Sequence, residues 1–310
     1  MEKLSFKVTS LDANQRIDKY IKKQLNLAPA SFIYKLFRLK DIKVNNQRVQ
    51  SNYIIGHGDE ISVFLTLEQK KDFYHDYTFS HIALNSDILF EDENIVVIDK
   101  TRGLLVHGDI NEKDNTLANQ VLTYLYDRGE FDPKERGYIP SPINRIDKNT
   151  SGLVVFAKKQ QVHQELNLAL HNNDVSRRYI ALVHGHTPKS GTISIALEKD
   201  AKRGLVSANP KGKVSLTKYT LIKQYQNYAL VDIELETGRS NQIRVHFANL
   251  KHPIVGDHKY GVTDKFSQLL LHHNLLKFYN IKGVCHYLEN VELTSPLPND
   301  FRKILNEIEE

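Results

Sequence analysis

From Asn94 onward the chain is dominated by short apolar segments, "NIVVIDK", "LVVFAKK", "RYIALVHG", "VSLTKYTLIKQY" and "YALVDIELETG", against two clearly amphipathic helices, "NTLANQVLTYLYDR" and "KQQVHQELNLALHN". Strands that outnumber helices and follow one another directly have to pair as hairpins. The last two, joined at Gln226-Asn227, form one. The expected fold is therefore α+β with a largely antiparallel mixed sheet. No P-loop and no GxGxxG follows any strand, which argues against a doubly wound nucleotide fold. With 310 residues, 40% of them hydrophobic, the chain can bury a large core and leans toward two domains. Cys285 is the single cysteine, so neither an intrachain disulfide nor a thiolate zinc cluster can form, and packing must hold the fold.

Ahead of the strand-rich region lies a module of different character. Between Gln15 and Arg48 nine Lys or Arg face Asp18 and Asp41, a local excess of +7 in a chain of net +5, leaving about −2 for the rest. A basic module joined to a nearly neutral body suits a polyanionic partner, although a solvated charged face would look the same. In "RIDKYIKKQL" Ile17, Tyr20, Ile21 and Leu25 form one apolar helical face, and Lys19, Lys22 and Lys23 lie on another. Pro29 interrupts this helix, and Ser31 is expected to cap the next, in which Lys35 and Arg38 share an outer face. "IKVNNQRV" reads as a hairpin turning at Asn45-Asn46, and "GDEISVF" as a closing strand. From Glu68 to Glu93 the sequence turns polar and acidic with little periodicity, as a linker would. The expected domains are residues 1–80, a small α/β module with its linker, and 81–310. The N-terminus has no apolar run for a signal peptide, and no segment is long enough to span a bilayer, so a cytoplasmic address is expected.

Three polar clusters interrupt the apolar strands: "LLVHGD" around His107, "NRIDKNTSG" around Asp147, and "TGRSNQIRVHFANLKHPIVGDHKYG" from Thr237 to Gly261. In the last, Arg239, Arg244 and His246 can direct cations at one pocket and keep a neighbouring carboxylate ionised. Asp147, just before Asn149, Thr150 and Ser151, could equally cap a turn, and the arginines could form surface ion pairs. Asp147 and Asp257 could be paired carboxylates of a glycoside hydrolase, but sequence gives no separation between them. The best metal candidate, "LHHN" with Cys285 and His286, lacks HExxH or CxxC spacing, and no metal is expected.

Taken together the motifs resemble those of the RluA-type RNA pseudouridine synthases. "NRIDKNTSGLVVFAK" is similar to that family's H-R-L-D-x-x-T-S-G segment, and "DENIVVIDKTRGLLVH" to its D-x-x-I-x-V-x-x-K-P-x-G-x-x-V-H. "ETGRSNQIRVHFANLKHPIVGDHKYG" is similar to its T-G-R-x-H-Q-I-R-x-H and following P-I-x-G-D-x-x-Y-G, and "RRYIALVHG" to its K-x-Y-x-A-L-V-x-G strand. Residues 14–64 resemble the S4 RNA-binding domain, and the wording is closest to the RluC-like branch acting on large-subunit ribosomal RNA. The resemblance implies isomerisation of uridine to pseudouridine, without cofactor, in structured RNA: ribosomal RNA first, tRNA as the alternative.

By the resemblance Asp147 is the catalytic nucleophile, Arg244 its arginine partner, and Tyr179 the active-site tyrosine that stacks on the base. Arg145 fills the stack vacated by a flipped nucleotide, and Leu271 lines the base pocket. His107 and Arg239 join the substrate-binding set, and Lys35, Arg38, Lys40 and Lys43 contact RNA phosphates. Gly152 and Gly238 are expected to serve turns. The chain departs from the family at Thr101 for proline, Asn144 and Asn241 for histidine, and Ile146 for leucine. An RNA-binding assembly factor on the same scaffold, with reduced or lost catalysis, is the competing reading. A monomer is expected.

Overall fold

The computed structural model describes residues 1–10, 12–74, 77–135, 138–200, 204–261, 263 and 265–309. Its contacts divide the chain into two units. One comprises Met1–His81, Leu122–Pro140 and Lys159–Gln161, and the other Ile82–Val121, Ser141–Lys158 and Val162–Glu310.

In chain order the first unit holds β1 (Glu2–Lys7), β2 (Gln15–Arg16), α1 (Ile17–Gln24), α2 (Ala30–Leu39), β3 (Ile42–Val44), β4 (Gln47–Arg48), β5 (Ile54–Ile55), β6 (Glu60–Leu65) and α3 (Leu67–Phe73). A four-stranded antiparallel sheet runs β1-β6-β3-β4, and β2 pairs with β5. Ile17, Tyr20, Ile21 and Leu25 are buried with Ile33 and Leu36, as their spacing requires. Lys35, Arg38 and Lys40 are exposed, and Lys43 is partly covered with its ammonium over the Phe64 ring. The two-residue turn is made by Asn45 and Asn46, both at positive φ (48° and 66°), which asparagine tolerates better than most residues.

Two local expectations fail. Ser31 is not the cap of α2: Pro29 is the extended residue before the helix and makes no side-chain cap, so Ser31 already lies inside. The stretch from Glu68 to Glu93, which includes His75 and Asp76 outside the described residues, is not a featureless linker. Thr66 and Gln69 form a capping box that starts α3, and α3 buries none of its residues, so no apolar period could betray it. Near the end of the same stretch lies β7 (Asp87–Glu91), whose leucine and phenylalanine are exposed.

After β7 the chain continues with β8 (Ile95–Lys100), α4 (Leu117–Asp127), whose residues from Leu122 belong to the first unit, β9 (Ser141–Pro142), β10 (Ser151–Ala157), α5 (Gln160–Asn172), of which Gln160 and Gln161 belong to the first unit, β11 (Val175–His184), β12 (Ser190–Asp200), β13 (Leu205–Ala208), β14 (Lys213–Gln224) and β15 (Tyr228–Leu235). α6 (Gln242–Asn249), β16 (Leu271–Phe278), β17 (Glu292–Thr294) and α7 (Asn299–Glu307) complete it. Eleven strands form one sheet in the order β13-β12-β14-β15-β11-β16-β10-β8-β7, with β17 on β16 and β9 on β10. Every pairing is antiparallel except β10 with β16, so the α+β, largely antiparallel mixed sheet is what forms. The turn at Gln226-Asn227 joins β14 to β15, with Tyr225 N donating to Tyr228 O at 2.8 Å. All seven residues of β10 are buried, which is why "SGLVVFA" shows no alternation. Leu153, Val155 and Ala157 pack with Ile95 and Val97 against Val162, Leu166 and Ala169 of α5. No helix among the described residues is long and apolar enough to cross a membrane.

Gly152 lies inside β10 rather than in a turn, at φ +109°, where β16 passes so closely that a Cβ would sit 2.2 Å from His273 O. Gly238 has no positive φ; a Cβ there would meet the end of the Arg177 side chain. Gly152→Ala should therefore lower unfolding stability by about 3 kcal/mol in urea denaturation, combining backbone strain with a clash against β16. A loss under about 1 kcal/mol would mean that the two strands separate easily.

Candidate active site

"NRIDKNTSG" forms the loop that feeds β10. Asn144 holds its near end by presenting its amide to that strand as another strand would: Nδ2 donates to Leu153 O at 3.0 Å, and Oδ1 accepts from Val155 N at 2.9 Å. The residue that departs from the family pattern thus has a structural job, a two-point clamp. At the far end Thr150 N donates to Asp147 O at 3.1 Å and tightens the turn with backbone atoms. The Asp147 carboxylate accepts its hydrogen bond from Arg244 rather than from the amides expected of a turn cap.

Arg244 projects from α6, a helix whose residues from Gln242 to Phe247 are all buried. Its guanidinium grips Asp257 with two hydrogen bonds, Nε to Oδ2 at 2.8 Å and Nη2 to Oδ1 at 2.7 Å. Its remaining edge serves Asp147 Oδ2 at 3.4 Å and Asn241 Oδ1 at 3.2 Å. The close partner of Arg244 is therefore Asp257, and Asp147 takes the longer contact, a correction to the simple Asp147–Arg244 pair. Burial disfavours the Arg244 charge, but the Asp257 hydrogen bonds and then the charges of Asp257 and Asp147 raise its pKa. The Asp257 side chain is 1% exposed and also accepts from the amides of Lys259 and Tyr260, so it is consumed in holding the arginine; the Asp147 side chain is 30% exposed. That asymmetry removes the two-carboxylate hydrolase reading, which needs both groups free at the substrate.

Asn241, the other departure, stands before α6 at φ 51° and completes the arrangement. It accepts from Arg244, while Nδ2 donates to the Tyr260 hydroxyl at 3.0 Å. The Tyr260 ring lies under the guanidinium, 5.1 Å from its carbon. Lys100 is a component that sequence reasoning passed over. Fully buried at the end of β8, it donates to the carbonyls of Thr101, Leu104 and Lys148, at 2.8, 2.8 and 3.0 Å. Burial pushes its pKa down to about 7, opposed by the Asp147 charge. A lysine closing an otherwise apolar strand, "NIVVIDK", was the available signal.

Tyr179 of β11 is 7% exposed and stacks on His273 of β16, with ring centroids 4.4 Å apart and planes 16° from parallel. Burial raises the tyrosine pKa, the Arg177 charge opposes it and Asp147 adds to it. His273 donates from Nδ1 to Leu153 O at 2.8 Å, and burial pushes its pKa down to about 3. The neighbouring His272 lies between Ser151 and Ser295, and burial pushes it down to about 4. His246 sits between Ser215 and Thr217, again driven down to about 4 by burial. Among the described residues no three His, Cys, Asp or Glu come together as a metal group. The Cys285 thiol is pushed up to about 12 by burial and then by Glu165.

The site opens on a cavity of about 570 Å³. Asp147, Tyr179, Arg244, Arg145, Arg239, Leu271 and His107 all face it. Lys35, Arg38, Lys40 and Lys43 belong to the first unit and do not. Burial and the nearby Arg145 charge lower the His107 pKa. Asp147 is the one carboxylate in the described lining, against Arg145, Lys148, Arg177, Lys199, Arg239 and Arg244. Arg145 is exposed and makes no hydrogen bond or ion pair among the described residues; the Arg239 side chain likewise has none, so neither is tied into a surface ion pair.

A family profile described as RNA pseudouridylate synthase matches residues 94–249. The chain is 30% identical to a Bacillus subtilis protein named "Uncharacterized RNA pseudouridine synthase YlyB", over 99% of both chains. It is also 30% identical to the ribosomal large subunit pseudouridine synthase C of Buchnera aphidicola subsp. Baizongia pistaciae, covering 97% of this chain and 96% of that one. Identity to the ribosomal large subunit pseudouridine synthase D of Haemophilus influenzae is again 30%, over 98% and 94%. Among solved structures, human RNA pseudouridylate synthase domain containing 4 shares the fold, with TM-score 0.58 and 23% identity over 72% of this chain and 92% of that one.

The division of labour between the two carboxylates predicts opposite stability effects. Asp257→Ala leaves Arg244 as a buried charge without its main partner and should cost about 3 to 5 kcal/mol in urea unfolding. Asp147→Asn, at a half-open position, should change stability by less than about 1 kcal/mol. The three buried histidines predict a pH dependence. Their folded pKa values, about 4, 4 and 3, lie below the ordinary 6.5, so the unfolded chain binds more protons between these limits. Their stabilisation is complete above pH about 6.5 and is lost as pH falls toward 4, with a slope of up to about 1.4 kcal/mol per pH unit for each histidine. Urea midpoints measured between pH 7 and 4 read it directly.

Proposed function

The chain belongs to the RNA pseudouridylate synthase family, and from that premise we propose that it converts uridines of large-subunit ribosomal RNA to pseudouridine with Asp147 as its reacting carboxylate. The observation that carries the reading is a cavity lined by six cations and one carboxylate, with that carboxylate on the spare edge of an arginine locked by Asp257. Relatives of nearly equal length named as ribosomal large subunit synthases support the choice of RNA.

The isomerisation breaks the bond between ribose C1′ and uracil N1, turns the base, and joins C1′ to C5. The proton leaves C5 and N1 gains one, so the reaction is redox-neutral and balanced. Asp147 supplies the anionic oxygen, by attack on the sugar or the base or by taking a sugar proton, and each route needs an ionised group with a free edge. Arg244 gives that oxygen a fixed, always protonated partner. Tyr179, backed on one face by His273, offers the other face to the base, and Leu271 adds apolar wall. A stacked uridine cannot reach such a cavity, so the nucleotide has to be extruded, at a cost of a few kcal/mol. Arg145, uncommitted and planar, suits the vacated place in the stack, with His107 beside it. Arg239 and the cations of the S4-like first unit, Lys35, Arg38, Lys40 and Lys43, hold the RNA through its phosphates.

Pseudouridines should be mapped in ribosomal RNA from a deletion strain complemented with wild type or Asp147→Asn. At least one large-subunit site should return with wild type and stay uridine with the variant. An identical map in both strains sinks the proposal, and a change confined to tRNA reassigns the substrate. Replacing Lys35, Arg38, Lys40 and Lys43 together by glutamine should flatten the dependence of RNA affinity on salt by about 0.7 to 0.9 logarithmic units per lost phosphate contact. An unchanged slope removes these residues from the interface.

A further inference from the structure

A second cavity, of about 930 Å³, adjoins the first, and Asp147, Lys148, Asn241 and Arg244 belong to the lining of both. Its other walls come from Arg102 and Gly103 after β8, from Asn149, from Gly256, His258 and Lys259, from Ser267 to Leu269, and from Asp300 at the start of α7. Arg102 is the unusual member. Its side chain is 14% exposed; Nε donates to Leu269 O at 3.1 Å, and Nη1 pairs with Asp300. Its third nitrogen, Nη2, is buried and finds no acceptor. A buried guanidinium N–H without a partner is costly, and an arriving acceptor, above all an anionic one, would satisfy it. Around it, Lys148 is exposed and makes no ion pair among the described residues, and Lys259 and His258 stand exposed at the wall. Among the described lining residues the two carboxylates are Asp147, shared with the first cavity, and Asp300, already engaged by Arg102.

An RNA chain is continuous, so a nucleotide seated at Asp147 brings its neighbour's phosphate with it. We propose that the second cavity is a phosphodiester subsite for a nucleotide flanking the target, with Arg102 as its main contact, aided by Lys148, and Asp300 as an internal competitor that occupies Arg102 while RNA is absent. This rests on the RNA reading above. Asp300 mimics the ligand: one of its oxygens holds Nη1 while the other accepts from Phe301 N at 2.8 Å, and a phosphate that displaces the first oxygen can bridge Nη1 and the unpartnered Nη2.

The two partners predict opposite signs, which an ordinary structural ion pair would not. Arg102→Gln should weaken binding of an unmodified large-subunit ribosomal RNA transcript about tenfold, and reduce the slope of log affinity against log salt by about 0.7 to 0.9. Asp300→Asn, which keeps the contact to Phe301 N, should tighten binding about threefold at low salt by releasing Arg102. Tritium release from a transcript tritiated at uridine C5 runs in parallel, with Arg102→Gln raising KM and leaving kcat within about twofold of wild type. If wild type releases tritium but Arg102→Gln keeps the wild-type salt slope, or Asp300→Asn fails to tighten binding, the subsite is wrong and the proposed function stands. If wild type releases none, the proposed function fails, while the two salt titrations still decide the subsite. Should Arg102→Gln not fold, Asp300→Asn alone decides.

Discussion

The buried pair of Arg244 and Asp257 is the constraint on which the site depends. Removing two charges from water is expensive, and a bidentate arginine–carboxylate pair with further hydrogen bonds is one of the few arrangements that offsets the cost. Here Asp257 accepts from two backbone amides as well, and Asn241 and the Tyr260 ring take up the rest of the guanidinium. An arginine so heavily committed has one edge left, and its direction is fixed chiefly by Asp257, which is not among the described residues lining either cavity. Asp147 meets that edge. Its orientation is thus inherited from a polar core already in place, and preorganised charge of this kind is the condition under which a reacting group, the role proposed for Asp147, is stabilised most effectively.

The same economy runs through the sheet around the site. Lys100 is buried with a carbonyl for each of its three N–H groups, and these carbonyls belong to the loop after β8 and to Lys148, the residue following Asp147. The ammonium therefore fastens two loops at the base of the cavity. His272 and His273 lie adjacent on β16, the one bridging serines of two other segments and the other carrying Tyr179 on its ring. Neutral imidazoles suit these places because each presents a donor and an acceptor without the desolvation cost of a charge. Gly152 makes the arrangement possible. It lets β16 lie against the first residues of β10, and it is that approach which brings the Asp147 loop alongside the Tyr179–His273 stack.

The legibility of these features follows from their physics. Strands of the second unit were visible because apolar β-branched residues bounded by turns have few other uses, and the hairpin at Asn45-Asn46 because positive φ demands particular residues. α6 was not visible as a helix. Buried from Gln242 to Phe247, it has no polar face and hence no period to detect, although its Arg244 was picked out by motif. α3 failed for the opposite reason, being buried nowhere. Asp147, Tyr179, Arg145 and Arg244 were named from motif similarity, and the fold brings them to one cavity. Asp257 enters the sequence reading only as a possible second catalytic carboxylate and not as an anchor, because the difference between those roles is burial, which spacing along the chain does not encode.

The asparagines at 144 and 241 bring sequence and structure to the same point. The family pattern has histidine at both, and the sequence shows only that a titratable ring has been exchanged for an amide. The structure shows each amide using a donor and an acceptor at once, Asn144 against the backbone of β10 and Asn241 between Arg244 and Tyr260. A neutral imidazole can also offer one of each, but gaining a proton turns its acceptor into a donor and breaks half of the pattern. An amide keeps both roles at any physiological pH. The two contacts that set the start of the Asp147 loop and the angle of Arg244 are therefore uncoupled from proton uptake. Titratable groups remain near Asp147: Lys100, with its pKa brought down to about 7 by burial, and His107 in the same cavity lining, lowered by burial and by the Arg145 charge. The Lys100 ammonium is held by three carbonyls, which favour its charged form against that burial.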